Sequence, residues 1–310
     1  MPDYSYIGSG RAYLREIGVS GGLIEVGNAS NLTFSITEDT IEQKDFTQPG
    51  GGTYNEVRRI SAVECTITMN ELSPVNLARA IYGSSNAVLS SAVTGEAVTV
   101  FPDAFSAFAH LPLSTPAPTV VPPTAAARAN TTAYALNAYI VPATANGFYY
   151  KVTTAGTSAA AIPTFPTTIG ATVTDGTVVL TCAGRTALVA NTDYELRPGG
   201  IYMLPGRILA GEVLTCGYTR AAADVVQALT NSGKDYELVF DGLNEARSGK
   251  RTRVTAHRVK IGAAQSLALI GEEYAALEVT GKLLKDTTKT GVGISQYFAA
   301  VIEQCARLMT

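Results

Sequence analysis

The sequence predicts a mainly β protein, a β-sandwich or partly closed barrel flanked by a short α-helix, with a long β-hairpin arm and a small inserted β subdomain. Apolar and polar residues alternate in many short segments, turn residues separate these segments, and only one segment combines helical spacing with good end signals. Of the 310 residues, 46% are hydrophobic and only 16% charged, so a large core is available while the surface is poor in charge.

Two alternating segments, "NLTFSIT" and "AVECTITM", predict the strands of the arm. Their apolar faces consist of Leu32, Phe34, Ile36, Val63, Cys65, Ile67 and Met69. Their opposite face is polar, and it is formed by Thr33, Ser35, Thr37, Glu64, Thr66 and Thr68. The pair therefore predicts a hairpin with one buried and one wet face.

The distal part of the arm is the charged stretch "EDTIEQKDFTQPGGGTYNEVRR". Its assembly residues are predicted to be Glu38, Asp39, Glu42, Asp45, Pro49, Gly50, Gly51, Gly52, Arg58 and Arg59. The glycines lack the Gly-Lys-Ser/Thr ending of a phosphate-binding loop, and a strand pattern follows them instead of a helix. We therefore interpret them as a flexible hairpin tip.

One helix is predicted in "NELSPVNLARAIYG". Ser73 is a suitable N-cap, Pro74 fits the first helical position, and Gly83 is expected to end the helix in the left-handed conformation. Farther along, "ISQYFAAVIEQCARLM" fits either a helix or a strand with a tail.

Composition suggests a discontinuous organisation. A proline-rich stretch at 112–123 precedes a segment with almost no charge, in which Asp175-Gly176 predicts a turn. We expect one β-sandwich domain from residues 1–119 and 186–310, and a small β domain at 120–185. The stability of a domain of that size is marginal in isolation, so we expect it to depend on contacts with the rest of the chain.

No catalytic or ligand-binding motif stands out, and no cofactor or metal is predicted. The chain has only His110 and His257, no zinc-spaced cysteine pair and no nucleophile elbow. The net charge of -3 offers no field for specific nucleic-acid binding, and no apolar run is long enough for a membrane span. The four cysteines are far apart, and reduced thiols are favoured over a disulfide framework.

The order of these features resembles bacteriophage tail tube proteins, the major tail proteins of siphovirus-like phages. The resemblance lies in the hairpin with its "PGGG" tip, the Arg58-Arg59 pair and "LSPVNLARAIYG". It resumes in "YELVFDGLNEARSG" and "AHRVKIGAAQSLALIGEEYAALEVTGKLLKD", and it leaves out roughly 120–185. That segment looks like a module found in phage tail proteins, where tryptophan often stands at the positions of Phe165 and Leu180.

The resemblance implies a structural virion protein without enzymatic activity. It implies self-assembly into hexameric rings that stack into a hollow tube for genome delivery, with a generally acidic lumen. The implied partners are further copies, the tape-measure protein and tail terminator and tip proteins, with DNA only in transit. The implied location is the virion tail, assembled in the host bacterial cytoplasm. The polar face of the hairpin is then the candidate lumen face, and 120–185 is expected on the tube exterior.

Two other hypotheses remain open at this point. A tail- or capsid-attached binding module would use the inserted segment to contact a host-surface glycan, and it would not polymerise. A tail-associated hydrolase would lose an activity when the two histidines are substituted.

Overall fold

The computed structural model describes residues 5–47 and 49–304, and strands dominate it. The first strands and the helix are β1 (Gly8–Glu16), β2 (Ile24–Glu25), β3 (Ala29–Lys44), β4 (Thr53–Met69), α1 (Pro74–Ala80) and β5 (Ser84–Val88). Next come β6 (Ser91–Val100), β7 (Ala104–Ala107), β8 (Thr119–Val121), β9 (Ala126–Ala127), β10 (Ala133–Tyr134), β11 (Tyr139–Val141), β12 (Phe148–Thr154) and β13 (Gly156–Thr157). Then follow β14 (Thr172–Asp175), β15 (Val178–Arg185), β16 (Tyr194–Arg197), β17 (Gly200–Met203) and β18 (Glu212–Arg220). The last are β19 (Ala223–Gln227), β20 (Asp235–Asn244), a 3-10 turn (Glu245–Arg247), β21 (Lys250–Ile261), β22 (Leu277–Leu283) and β23 (Phe298–Ile302).

The chain divides into two compact units, and the first comprises Met1–Asn86 and Asp224–Thr310. Its main element is an eight-stranded sheet in the order β2-β1-β20-β21-β22-β4-β3, with β23 pairing β21 beside β22. The order is an open path, so the sheet is not a closed barrel. The mainly β, sandwich-like prediction is confirmed.

Alternation along the strands builds the core of this unit. On β22, Leu277, Val279 and Leu283 are buried, whereas Glu278 and Lys282 are exposed. On β4 the predicted apolar face is buried as well, from Val63 to Met69. One buried cluster unites these side chains with residues of β1, β20 and β21.

The predicted helix forms, but it ends differently. The Ser73 hydroxyl oxygen accepts a hydrogen bond from the Asn76 backbone N–H at 3.2 Å, as expected of an N-cap. The left-handed residue after the helix is Tyr82, with φ of 51°, and not Gly83. A Cβ on Gly83 would lie 2.3 Å from the carbonyl oxygen of Gln227, so close approach of another backbone explains this glycine.

The second unit, Ala87–Ala223, contains several small antiparallel-rich sheets and two buried clusters. One cluster lies under β6, β17 and β18 and includes Val100, Ile201 and Leu214. The other belongs to the 120–185 segment and includes Ile140, Tyr150 and Leu180. The turn predicted at Asp175-Gly176 joins β14 to β15, and Gly176 has a φ of 67°.

The unit boundaries differ from the expected ones at 119/120 and 185/186. The proline-rich stretch lies inside the second unit, because its strand β8 pairs with β18 through Val120 and Cys216. The predicted insert does have its own buried cluster, yet it shares its unit with residues 87–119 and 186–223. Near the C-terminus, the ambiguous segment forms strand β23, and residues 305–310, with Cys305, lie outside the described residues.

Candidate assembly surface

The arm extends well beyond the sheet that carries it. Strand β22 pairs with β4 only from Glu64 to Met69. Farther out, residues 37–44 of β3 and 53–62 of β4 pair only with each other in the described part of the chain. At about 3.3 Å per residue, this two-stranded ribbon projects on the order of 25 Å before its loop begins. We call residues 37–62 the arm.

The arm exposes apolar side chains on both of its faces. Ile41 and Val57 form an exposed cross-strand pair on one face, and Ile60 is exposed on the other. At the end, Phe46 is 87% exposed and Tyr54 is 70% exposed. The sequence-based prediction of the assembly residues rested on charges and glycines and did not include these apolar residues. The signal that could have found them is the presence of Ile41 and Val57 within an otherwise charged stretch.

The predicted charged residues of the arm are only partly brought together. Asp39 stands opposite Arg59, a favourable cross-strand arrangement, whereas Glu42 stands opposite Glu56. Arg58 contacts Glu56 on its own strand. The hydrogen bond that the Arg58 guanidinium donates to the Glu56 carboxylate raises the pKa of Arg58, and the negative charges of Glu56 and Glu38 raise it further. The arm therefore does not neutralise itself, since its acids outnumber the basic groups that face them.

The tip is a closed loop with its own hydrogen bonds. The Asp45 N–H donates to the Gly52 carbonyl oxygen at 2.7 Å. The Asp45 carboxylate accepts from the Thr47 hydroxyl at 2.5 Å and from the Thr47 N–H at 2.8 Å, and these bonds lower the pKa of Asp45. Gly50 and Gly51 have φ values of 106° and 64°, which glycine adopts without the steric cost of a Cβ.

The candidate lumen residues do share one face of the sheet. Thr33 pairs with Thr66, and Thr66 with Thr280 on β22, so three hydroxyls follow one another across the strands. The neighbouring register positions place Ser35 beside Glu64, and Thr68 between Asn31 and Glu278. This face is wet, as predicted: Thr33, Ser35 and Thr37 are exposed, and Glu64, Thr66 and Thr68 are half-buried.

Acidic and basic residues are mixed along the row through Glu64. Glu64 neighbours Lys282, Lys282 neighbours Lys260, and Lys260 neighbours Asp235. Asp235 also accepts a hydrogen bond from Arg258 at 2.8 Å. The row is mixed, whereas the resemblance implies an acidic lumen.

The 120–185 segment presents no aromatic platform. Its six aromatic residues are all buried or half-buried. Tyr150 and Phe165, for example, pack together in the core with ring centroids 4.9 Å apart. Its most prominent polar feature is internal as well: Arg128 donates to both oxygens of Asp175, at 2.6 Å and 2.9 Å, with both side chains fully buried.

The described residues offer neither a metal site nor a reactive thiol. No group of three or more His, Cys, Asp or Glu there could hold a metal ion. Cys65, Cys182 and Cys216 are buried free thiols, and burial raises their pKa to about 11, about 11 and about 12. Such thiols are poor nucleophiles near neutral pH.

Comparison with known protein families gives one match. Residues 5–168 and 167–301 match a family described as "Protein of unknown function UCP028589". The chain belongs to this family. No curated protein matches the sequence. The matched ranges include residues of both structural units, and the family description names no activity.

A separate observation concerns membranes. Among the residues that the structure describes, no helix has the length and apolar character needed to cross one.

Proposed function

We propose that the chain is a structural, non-enzymatic virion protein, the subunit of a bacteriophage tail tube. Copies assemble into rings, six per ring, and the rings stack into a hollow tube through which the genome passes. The observation that carries the proposal is the arm, a two-stranded ribbon with exposed apolar residues on both faces. An isolated hairpin is at best marginally stable in water, so a partner has to cover it.

Several features favour a further copy of the chain as that partner. The arm comprises roughly 26 residues, and a stable interface takes about 20–30 residues from each side. Among the described residues β3 pairs only with β4, so its other edge offers backbone groups that another subunit can pair or cover. An arm that docks on a different surface of the next copy makes a heterologous contact, and heterologous contacts generate rings or stacks.

The wet face of the sheet supports the role of channel lining. Hydroxyl groups from Thr33, Thr66 and Thr280 hydrate the surface without carrying charge. In the row through Glu64 and Lys282, acidic groups stand beside the basic ones and weaken the attraction of the basic groups for phosphate. A lining of this kind lets DNA pass without binding it.

The proposal brings partners and a location with it. The tube encloses a tape-measure protein and ends in terminator and tip proteins, and it contacts DNA only in transit. Assembly takes place in the host bacterial cytoplasm, and the product is part of the virion tail. Segment 120–185 lies on the exterior, because an interior placement would obstruct the channel.

A shortened arm tests the proposal. Residues 39–59 are replaced by Asn-Gly, which joins the cross-strand neighbours Glu38 and Ile60 with a two-residue turn. The part of β4 that pairs with β22 stays intact, so the variant should fold. We expect rings or tubes of the parent chain in negative-stain electron micrographs and only monomers of the variant.

The control is Leu229→Ser, which replaces an apolar residue that lies outside the arm and is about as exposed as Phe46 and Tyr54. It should assemble like the parent. Tubes formed by the shortened variant, or a parent chain that stays monomeric at every concentration, would refute the proposal.

A further inference from the structure

A polar pocket of about 360 Å³ opens beside the C-terminal end of helix α1, within the first unit. Its walls are the end of β1, the loop from β1 to β2, helix α1 with the residues that follow it, and the start of β20. We call it the α1 pocket. Its volume is at the lower end of the range that is usual for small-molecule sites.

Three basic side chains line the α1 pocket. Arg15 contacts Glu237, and the Lys234 ammonium group donates to the Glu16 carboxylate at 3.0 Å. In the described part of the chain, Arg79 forms no ion pair. Because the other two cations are each paired with a carboxylate, one positive charge in the pocket remains without a counter-charge.

The guanidinium of Arg79 is half-buried and keeps free donors. Its Nη1 donates a long hydrogen bond of 3.4 Å to Asn76 Oδ1, and its carbon lies 5.8 Å from the centroid of the Tyr236 ring. Burial lowers the pKa of Arg79, although Tyr236 and the charge of Glu16 act in the opposite direction. A guanidinium carries five N–H donors, and these contacts use only part of them. A bound anion would supply both the further acceptors and the negative charge.

Other donors line the same pocket. Ser20, Ser85 and Ser232 contribute hydroxyl groups. In the loop from β1 to β2, a Cβ on Gly21 or Gly22 would meet no atom within 4 Å, so a ligand can approach the backbone there. A phosphate group carries three terminal oxygen atoms that accept hydrogen bonds, and the planar fork of a guanidinium matches two of them. The donors therefore fit a phosphate group better than a carboxylate, which has only two oxygen atoms.

The remaining lining residues restrict the kind of phosphate compound. Val75, Ala78 and Ile261 form an apolar wall that can contact the organic part of an ester. The Glu16 carboxylate also lines the pocket and repels a second anionic group. A compound with a single phosphate group is therefore favoured over a diphosphate or a triphosphate.

We infer that the α1 pocket binds the phosphate group of a small phosphomonoester. Arg79 is the principal cation, Lys234 and the serine hydroxyls are further donors, and the apolar wall contacts the organic part of the ligand. The inference goes beyond the proposed function and does not depend on it, because the pocket contains no residue of the arm or of the candidate lumen face.

Calorimetric titration of the full-length chain with phenyl phosphate and with inorganic phosphate tests the inference. Both compounds should bind to the parent chain, and phenyl phosphate should bind more tightly because its ring contacts the apolar wall. Arg79→Met should weaken the binding of both about tenfold, since it removes charge-assisted hydrogen bonds. Arg59→Met is the matched control, because it removes an exposed arginine of the arm, and it should bind like the parent.

The titrations can fail in two ways. A parent chain that binds neither compound at millimolar concentration, or an Arg79→Met variant that binds as tightly as the parent, would overturn the inference. Equal affinities of the parent for the two compounds would overturn its second part, that the ligand is an ester.

Thermal unfolding separates binding from a purely structural role of Arg79. Without ligand, Arg79→Met should melt close to the parent, because the substitution breaks no ion pair. Phenyl phosphate should raise the melting temperature of the parent more than that of the variant. A variant that melts far below the parent without ligand would contradict the description of Arg79 as uncompensated.

Ser85→Ala provides a milder test that does not touch the helix. It should weaken the binding of phenyl phosphate about threefold, because one hydrogen-bond donor is lost. Its melting temperature without ligand should equal that of the parent. An unchanged affinity would exclude Ser85 from the donors that hold the phosphate group.

Discussion

At the scale of single residues, solvent exposure distinguishes side chains that are available for assembly from side chains that stabilise the fold. Phe46 and Tyr54 contribute little to the stability of the isolated chain, because they remain exposed in it. The same exposure makes them available to a partner, and buried aromatic anchors dominate many interfaces. Buried thiols have the opposite character, since they belong to the cores of both units.

Replacing both tip aromatics therefore tests assembly alone. In Phe46→Ser with Tyr54→Ser, the free energy of unfolding of the monomer should change by less than about 0.5 kcal/mol. Tube formation should be lost, as seen by sedimentation and electron microscopy. The matched control Ile162→Ser, at an exposed position of the inserted segment, should keep assembling. A large loss of monomer stability in the double variant would contradict the description of the tip as unpartnered.

The thiols give a chemical prediction at the same scale. Because burial raises the pKa values of Cys65, Cys182 and Cys216, these thiols should stay unreactive towards an aromatic disulfide reagent at pH 8 in the native protein. All of them should react after unfolding in guanidinium chloride. In the Cys305→Ser background, rapid labelling of the native chain would show that at least one of the three is accessible.

At the scale of elements, the inserted segment is fastened by one buried ion pair. Arg128 follows β9 and Asp175 ends β14, and the Arg128 guanidinium also donates to the carbonyl oxygens of Ala159 and Ala161. The Asp175 carboxylate accepts from the Ala159 N–H at 2.9 Å. The pair thus ties three chain segments together, and removing either partner leaves an uncompensated buried charge.

Arg128→Ala should destabilise the second unit by about 3–5 kcal/mol, measured by urea unfolding followed by circular dichroism. Arg197→Ala, at an exposed position where the guanidinium stacks on Tyr202, should cost less than about 1 kcal/mol. Equal effects of the two substitutions would contradict the structural role of Arg128.

The same pair predicts a pH dependence. The Arg128 hydrogen bond lowers the pKa of Asp175 relative to the unfolded chain. Ionised Asp175 therefore contributes stability that is fully present above its unfolded pKa and is lost as the pH falls through its folded pKa. The stability difference between the parent and Arg128→Ala should accordingly shrink in acid. A difference that stayed constant between pH 7 and pH 2 would argue against an ionic contribution.

At the scale of the whole molecule, the proposed assembly gives each surface a side of the tube. The wet sheet face is proposed to line the channel, the arm tip to contact another copy, and segment 120–185 to lie outside. Of these placements, only the exterior one can be tested with an antibody, because an antibody is too large to enter a narrow channel.

An epitope inserted after Thr144, in an exposed bend of the 120–185 segment, should leave assembly intact and bind antibody on intact tubes. Immunogold labelling along the tube length would show it. The control is the same tube without the epitope. An epitope that binds antibody in the unassembled chain but not on tubes would show that this segment is buried by assembly.

The sequence by itself determined the class of the fold and the part of the β3–β4 hairpin that carries the arm. Alternation at Leu32 to Thr37 and at Val63 to Met69 is a local signal, because side chains of a strand point to opposite faces with a period of two. The Ser73 cap and the turn at Asp175-Gly176 are local as well. Such signals need no knowledge of distant residues.

Only the tertiary structure decided the unit boundaries and the end of the helix. The backbone of Gln227, far along the chain, explains the glycine at position 83, so the left-handed residue is Tyr82. Whether an apolar side chain such as Ile41 is core or interface depends on which strands pair beside it, and long-range pairing is not encoded in local alternation.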